Sequence, residues 1–356
     1  MTITLNWAIL GAGNIAAQFV YDLVLNNQRQ TEYRHVVQSI GCSNQARGSE
    51  FIKANNITSE NNYGVIPVVQ SYQELYKNPN VNVVYIGTPH VFHKEQAIEC
   101  LHNDKHVLCE KPITVNEKDA QEIFTVAKKY NKFCMEAVWT RFFPAIQIVK
   151  QEIYQTKVIG EVHRLFADLS YNGDVSSLPA SSRVRDRKLA AGSLLDIGIY
   201  PITYARILLD DKVGDEHTSF KHKSFLTIDK EDQVDHLCSI LFQYKDGKQA
   251  VLTSSELVDG PKAYVRLECT GGWVEMYSDN PARANHFKIF DKTGGLVLEY
   301  KDDSGYNGFI YEANAVADDI NRGKIENDVM PHKETLLVMS VMDSIRKENG
   351  LTYDQD

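Results

Sequence analysis

Glu110-Lys111-Pro112 follows the short apolar run His106-Val107-Leu108-Cys109, so a lysine stands directly after a predicted strand. In an open parallel sheet, ligands sit outside the carboxyl ends of the strands, and a cation fixed there can polarise a hydroxyl or stabilise a phenolate. Pro112 stiffens the exit and delays the next helix. A solvated lysine at a strand end is the competing reading, and the neighbouring motifs weigh against it. The second constellation is Gly192-Ser193-Leu194-Leu195-Asp196-Ile197-Gly198-Ile199-Tyr200-Pro201. On a helix, Asp196 and Tyr200 lie four apart on one face and present a carboxylate and a phenol together. Without context the pair also fits a first-turn acid beside a packing tyrosine.

Gly11-Ala12-Gly13-Asn14-Ile15-Ala16 comes straight after the first predicted strand and opens the first helix. Its glycines permit a tight turn and close approach of a pyrophosphate, and Ala16 takes the third-glycine place at the helix–strand contact. The helix N-terminus favours the anion. The second strand lacks the acidic end that binds NAD ribose hydroxyls; Cys42 is followed by Ser43 and Asn44, with Arg47 one turn on. A cation in place of a carboxylate suits a 2'-phosphate, so NADP(H) is favoured over NAD(H). Arg47 as a plain surface residue of the second helix is the alternative. His90-x-x-His93, after the Gly87-Thr88-Pro89 turn, has a metal-like spacing, but no Cys or clustered carboxylate accompanies it. It reads as a cofactor-side loop, with no metal expected.

These motifs require elements to hold them. Short apolar runs alternate with helical segments up to about Ala137: Trp7 to Leu10, Val36 to Cys42, Val65 to Val69, Val81 to Ile86, the strand before Lys111 and Phe133 to Ala137. Such alternation predicts a doubly wound parallel sheet of the Rossmann type, the domain running over 1–138. The remainder, 139–356, predicts an α+β domain for substrate binding and oligomerisation. Gly160 to Leu169 alternates, and a helix spans about Leu194 to Leu208. A mostly antiparallel open sheet follows over Phe220 to Ile228, His236 to Tyr244, Gln249 to Ser254, Tyr264 to Cys269 and Trp273 to Tyr277, with Asp246-Gly247 and Gly271-Gly272 among its turns. Two late helices, from Phe309 and from about His332, close the chain. Between the domains, Trp139 and Arg141 are expected to face a cleft, although a hinge packed by aromatics has the same composition.

A length of 356 residues exceeds one ordinary core, which supports two domains. A formal net charge of -9 disfavours nucleic acid and anionic membrane as partners. The basic run Arg183, Arg185, Arg187 and Lys188 reads as a solvated loop, one arginine of which could line a substrate cleft. Six scattered cysteines read as reduced core thiols, and the opening segment lacks a signal-peptide pattern; both point to the cytoplasm.

Taken together, the Gly11 loop, Tyr85-Ile86-Gly87-Thr88-Pro89 with His93, Glu110-Lys111-Pro112, Met135 to Pro144, Leu194 to Pro201, Gly308 to Ala313 and Met330-Pro331 resemble one family. It is the glucose-fructose oxidoreductase, inositol dehydrogenase and rhizopine catabolism family, Gfo/Idh/MocA, and the resemblance covers nearly the whole chain. It implies a catalytic group made of the lysine after the strand and an Asp with a His four residues later. Here Tyr200 stands at the His position. That departure resembles the branch containing dimeric dihydrodiol dehydrogenases, NADP-linked xylose dehydrogenases and glucose-fructose oxidoreductase.

The expected catalytic residues are therefore Lys111, Asp196 and Tyr200. The expected cofactor-binding residues are Gly11, Gly13, Asn14, Ile15, Ala16, Ser43, Asn44, Arg47, Thr88, Pro89, His93, Glu110, Lys111, Trp139 and Arg141. The leading expectation is an NAD(P)-dependent oxidoreductase acting on a sugar, polyol or cyclic diol. A cofactor-binding regulator with little turnover is the alternative, and an enzyme that keeps its cofactor while coupling two sugars is a third reading. The resemblance also implies a homodimer or homotetramer formed through the C-terminal sheet.

Overall fold

Alternating apolar runs do fold as alternating strands and helices in a computed structural model, which describes residues 2–29, 31–210, 212–214 and 220–356. Met1 lies outside the described residues. In chain order, the first part comprises β1 (Ile3–Leu10), α1 (Asn14–Gln28), β2 (Tyr33–Gly41), α2 (Gln45–Ala54), β3 (Val68–Gln70) and α3 (Tyr72–Tyr76). It continues with β4 (Val83–Ile86), α4 (His93–His102), β5 (His106–Glu110), α5 (Glu117–Tyr130) and β6 (Cys134–Ala137). The second part holds α6 (Pro144–Lys150), β7 (Val162–Ser170), α7 (Ile199–Leu208), β8 (Phe220–Ile228), β9 (Asp235–Tyr244) and β10 (Gln249–Ser255). After these come β11 (Ala263–Cys269), β12 (Gly272–Tyr277), β13 (His286–Asp291), β14 (Leu296–Lys301), α8 (Phe309–Asn321) and α9 (His332–Glu348).

The chain forms two compact units. The first contains residues 1–114, 118–139 and 305–332, and its six-stranded sheet has the order β3-β2-β1-β4-β5-β6. Every pairing in that sheet is parallel. Residues of β4 and β6 are buried on both faces, as a sheet covered on both sides requires. The return of 305–332 to this unit is a feature that a single division between 138 and 139 does not contain. Its anchor is Asp22 on α1, a buried carboxylate that accepts the amides of Asn307, Gly308 and Ile310 at 2.7, 2.8 and 3.2 Å. Asp22 thereby satisfies orphan donors at the start of α8.

The second unit contains residues 115–117, 140–304 and 333–356. Its eight-stranded sheet has the order β14-β13-β12-β11-β7-β10-β9-β8. The β7–β10 pairing is parallel and the other described pairings are antiparallel. Strands here alternate, β8 between half-buried and exposed and β12 between buried and half-buried, as in a sheet covered on one face. There α7 packs against β7 and β10, and β8 meets Ser344 of α9 and Asn349 just after it. The expected antiparallel character thus holds, while β13 and β14 extend the sheet beyond the strands read from the sequence.

Candidate active site

The dinucleotide motif is built at the end of β1. Gly11 has φ +101, and a Cβ there would stand 3.0 Å from the carbonyl carbon and oxygen of Gly87 and 3.1 Å from Thr88 Cγ2. Both the backbone angle and the close approach require glycine. Gly13 caps α1 without a side-chain hydrogen bond, and a Cβ added there meets nothing within 4 Å. The first turn of α1 carries no acidic residue, so its amide groups and dipole face open space suited to an anion. Ala16 is fully buried, and a Gly87 Cβ would stand 3.6 Å from its own, which accounts for a small residue at the third position of the motif. Asn14 is exposed and Ile15 half-buried beside it. These features fit a dinucleotide pyrophosphate.

Ser43, Asn44 and Arg47 are all exposed after β2, and the structure brings Arg47 to the glycine loop, where its Nη2 donates to Ala12 O at 3.3 Å. Asn44 also has a local duty, since its side chain caps α2 by accepting the Arg47 amide at 3.1 Å.

Thr88 donates its hydroxyl to Gln96 Oε1 at 2.6 Å and follows the Gly87 turn; Pro89 leads into one turn of 3-10 helix over His90–Phe92. His93 is 1% exposed, and its two ring nitrogens lie 2.7 Å from Thr88 O and 3.1 Å from Pro112 O. Burial pushes the imidazole down to about 4, so the ring is neutral at pH 7 and its single N–H donates to one of these carbonyls while the ring packs against the other. His93 therefore joins the turn after β4 to the turn after β5, a positioning role that its spacing from His90 did not reveal.

Lys111 sits between two pinned neighbours, and its peptide bond to Pro112 is cis. Glu110 is buried and accepts the Tyr85 hydroxyl at 2.6 Å and the Lys111 amide at 3.2 Å. The Tyr85 ring in turn stacks on Phe19 at 4.0 Å. Beyond the proline, Ile113 N donates to Glu136 Oε1 at 3.0 Å. Nearby Glu312, fully buried, is raised well above the ordinary carboxylate range by desolvation and by the charges of Glu110 and Asp22. Burial and like charge thus both disfavour a second anion at the strand end.

Trp139 and Arg141 are each 2% exposed. In the first unit Trp139 stacks on Phe309 at 4.1 Å. In the second unit Arg141 Nη2 lies 2.5 Å from Glu334 Oε1, and Arg206 also grips Glu334 through two 3.0 Å bonds. Burial opposes ionisation of Glu334, yet the two guanidinium groups hold it at about 2. Packing and ion pairing are the roles displayed by Trp139 and Arg141; contact with a cofactor is for proposal.

In the second unit, Gly192 has φ +135, and a Cβ there would stand 2.3 Å from Asp235 Oδ1. Asp235 Oδ2 accepts the Leu194 amide at 2.7 Å at the start of the following helical run. Leu194–Gly198 is a wide π turn that passes into α7, a correction to the single regular helix expected. Four-residue spacing still leaves Asp196 and Tyr200 on adjoining parts of one side. Tyr200 is 5% exposed, and the Asp196 carboxylate meets Arg183 Nη1 at 2.7 Å. Arg183 was visible as part of the basic run. Glu256, close enough to Asp196 to feel its charge, and its 2.9 Å partner His236 carried no sequence signal because they stand 20 residues apart, one just after β10 and the other in β9.

Residues 5–138 match the oxidoreductase family with an NAD-binding Rossmann fold, and residues 149–275 match the GFO/IDH/MocA C-terminal domain. The trans-1,2-dihydrobenzene-1,2-diol dehydrogenase of Mus musculus is 31% identical over 99% of both chains. The D-xylose 1-dehydrogenase (NADP(+)) of Hypocrea jecorina is 30% identical over 99% of this chain and 94% of that protein. A 3-ketoreductase from Actinomadura kijaniata, solved with NADP and TDP-benzene, has a TM-score of 0.77 at 21% identity over 97% of each chain. The aldose-aldose oxidoreductase of Caulobacter crescentus, solved with glycerol, gives 0.77 at 20% identity over the same shares. The two structures speak for the fold, whereas full-length identity at this level and the paired domain matches settle the kinship: the chain belongs to the Gfo/Idh/MocA family of oxidoreductases.

Proposed function

We propose that this protein is an NAD(P)-dependent dehydrogenase or reductase acting on a CH–OH group of a sugar, polyol or cyclic diol. The observation that carries the reading is within the first unit. Lys111 leaves β5, the strand next to β4, whose terminal Gly87-Thr88 turn touches Gly11; cation and dinucleotide cradle thus share one end of the sheet. When bound, the nicotinamide supplies a hydride acceptor or donor. Tyr200 takes the hydroxyl proton in oxidation and returns it in reduction. The Lys111 ammonium stabilises the Tyr200 phenolate and binds the reacting oxygen. Asp196 orients the substrate by accepting a hydrogen bond. Thr88, Pro89, His93, Glu110, Trp139 and Arg141 support the nicotinamide side of the site.

NADP(H) is the proposed cofactor, with Ser43, Asn44 and Arg47 at the 2'-phosphate. The cut at 138 and 139 is proposed as the division between cofactor-binding and substrate-binding parts. Buried, unpaired thiols at Cys42, Cys100, Cys109, Cys134 and Cys238 support a reducing, cytoplasmic setting. No described helix is long and apolar enough to cross a membrane. The deciding experiment follows NADPH absorbance with aldoses, polyols and dihydrodiols, alongside fluorescence titration of NADPH and NADH. Reduction of NADP+ by at least one substrate, with tighter NADPH binding, is expected. Tight cofactor binding without reduction would overturn the enzyme reading in favour of a cofactor-binding regulator, and tighter NADH binding would overturn the phosphate assignment.

A further inference from the structure

Arg183 stands 13 residues before Asp196, on the irregular segment between β7 and α7, and its Nη1 donates to Asp196 Oδ2. The arginine side chain is 66% exposed, against 18% for the aspartate. Among the described residues, Arg183 Nε and Nη2 have no hydrogen-bond partner. Guanidinium carries five N–H donors in a rigid plane, so most of its donor capacity faces water while one arm holds the carboxylate. An ion pair whose cation is this open adds little to stability, which leaves little for the pair to do as a structural clasp.

The charges around the pair are already matched. Glu256 is fully buried and bonds His236 Nδ1 at 2.9 Å; His236 Nε2 lies 3.4 Å from Asp232, which Arg185 grips through two bonds of 2.7 and 2.9 Å. Tyr171 and Glu256 both lie close enough to Asp196 and Arg183 to feel their charges. A carboxylate or phosphate on the substrate would therefore meet Asp196 and Glu256 along with Arg183. A neutral partner that both donates and accepts meets no such repulsion.

We propose that Arg183 is a specificity-determining residue that, with Asp196, reads two adjacent hydroxyls of a neutral substrate. One hydroxyl donates to the Asp196 carboxylate, and its neighbour accepts from a free guanidinium N–H. The proposal rests on the placement of Asp196 in the reaction site made under the proposed function. A mono-alcohol uses half of this arrangement and leaves the other half to water.

The test is a cycle between a protein group and a ligand group. Wild type and Arg183→Gln, each saturated with NADPH so that no alcohol is oxidised, are titrated calorimetrically with trans-cyclohexanediol bearing adjacent hydroxyls and with cyclohexanol. Wild type is expected to bind the diol more tightly by roughly tenfold to hundredfold, the range for a hydrogen bond to a charged group. Arg183→Gln should erase that preference by weakening diol binding far more than cyclohexanol binding. Arg183→Lys, which keeps the charge and loses the fork, should restore part of it. A preference that persists in Arg183→Gln, or one absent from wild type, overturns the proposal. Parallel turnover assays with NADP+ separate the two readings. A diol preference without NADPH formation refutes the dehydrogenase assignment and leaves the subsite standing, whereas turnover with no Arg183-dependent preference refutes the subsite alone.

Discussion

At neutral pH an ordinary phenol, with a pKa of about 10, keeps its proton, so Tyr200 can accept one from an alcohol only beside a stabilising cation. This dependence makes the two side chains separable by kinetics. Tyr200→Phe should lower kcat by about a hundredfold to ten-thousandfold, the usual share of a positioned acid–base group, with the dissociation constant for NADPH unchanged. If Lys111 acts as proposed, Lys111→Ala should reduce kcat by a comparable factor and shift the rising limb of the pH–rate profile upward, as expected for a phenolate without its counter-charge. Stopped-flow and steady-state rates on a verified substrate check both; wild-type turnover in either variant removes that residue from the mechanism. Lys111 and the Gly11 loop were legible in the sequence because each is a local motif beside a strand. Arg183 on Asp196, His93 across two turns and the upward-shifted Glu312 were not, because their partners are 13, 19 and, for Glu312 against Glu110, some 200 residues away in the chain, distances that only folding closes.

At the scale of the element, the run carrying Asp196 and Tyr200 depends on how it starts. Asp235, the first residue of β9, accepts the Leu194 amide, and burial pushes its carboxyl up to about 7. A carboxyl raised in the folded state binds more protons there than in the unfolded chain. Its contribution to stability is therefore complete below the unfolded value near 4 and is lost as pH rises toward 7. Asp235→Asn keeps an acceptor for Leu194 and deletes this titration. Between about pH 4 and about pH 7, the wild type should lose stability relative to the variant, by up to about 1.4 kcal/mol per pH unit. Urea unfolding followed by tryptophan fluorescence at several pH values reads the difference; parallel pH curves for the two proteins would refute it. The helix itself was legible from its apolar spacing, but neither its π turn nor its dependence on a strand residue was. The strands β13 and β14 were missed for a related reason: half-buried sheets alternate weakly, as Leu296–Lys301 shows, and offer less signal than the fully buried runs of the first unit.

For the molecule as a whole, the sheet of the second unit poses the remaining question. The face opposite α7 carries Phe225 at 78%, Leu241 at 53% and Leu296 at 55% exposure. Between them lie the half-buried Phe166, Trp273 and Phe290, laced with cross-strand ion pairs such as Arg164–Glu268 and Arg266–Glu275. Arg266 covers the Trp273 ring at 4.6 Å, and Phe290 stacks beside it at 5.2 Å. A sheet face that mixes exposed aliphatic and aromatic side chains with paired charges can serve as a protein interface, and a stable one needs about 800 Å² from each partner. Association of copies through this face, as a dimer or a tetramer, is the reading it supports. Placing Glu at both Phe225 and Leu241 puts like charges opposite each other in a self-complementary contact and buries them without partners. Light scattering should then find wild type as a multiple of its 40.3 kDa mass and the double variant shifted toward the single mass, with the far-ultraviolet circular dichroism unchanged. A wild-type protein that stays at the single mass at micromolar concentration would leave the face without this role, and an undiminished assembly in the double variant would move the interface elsewhere on the molecule.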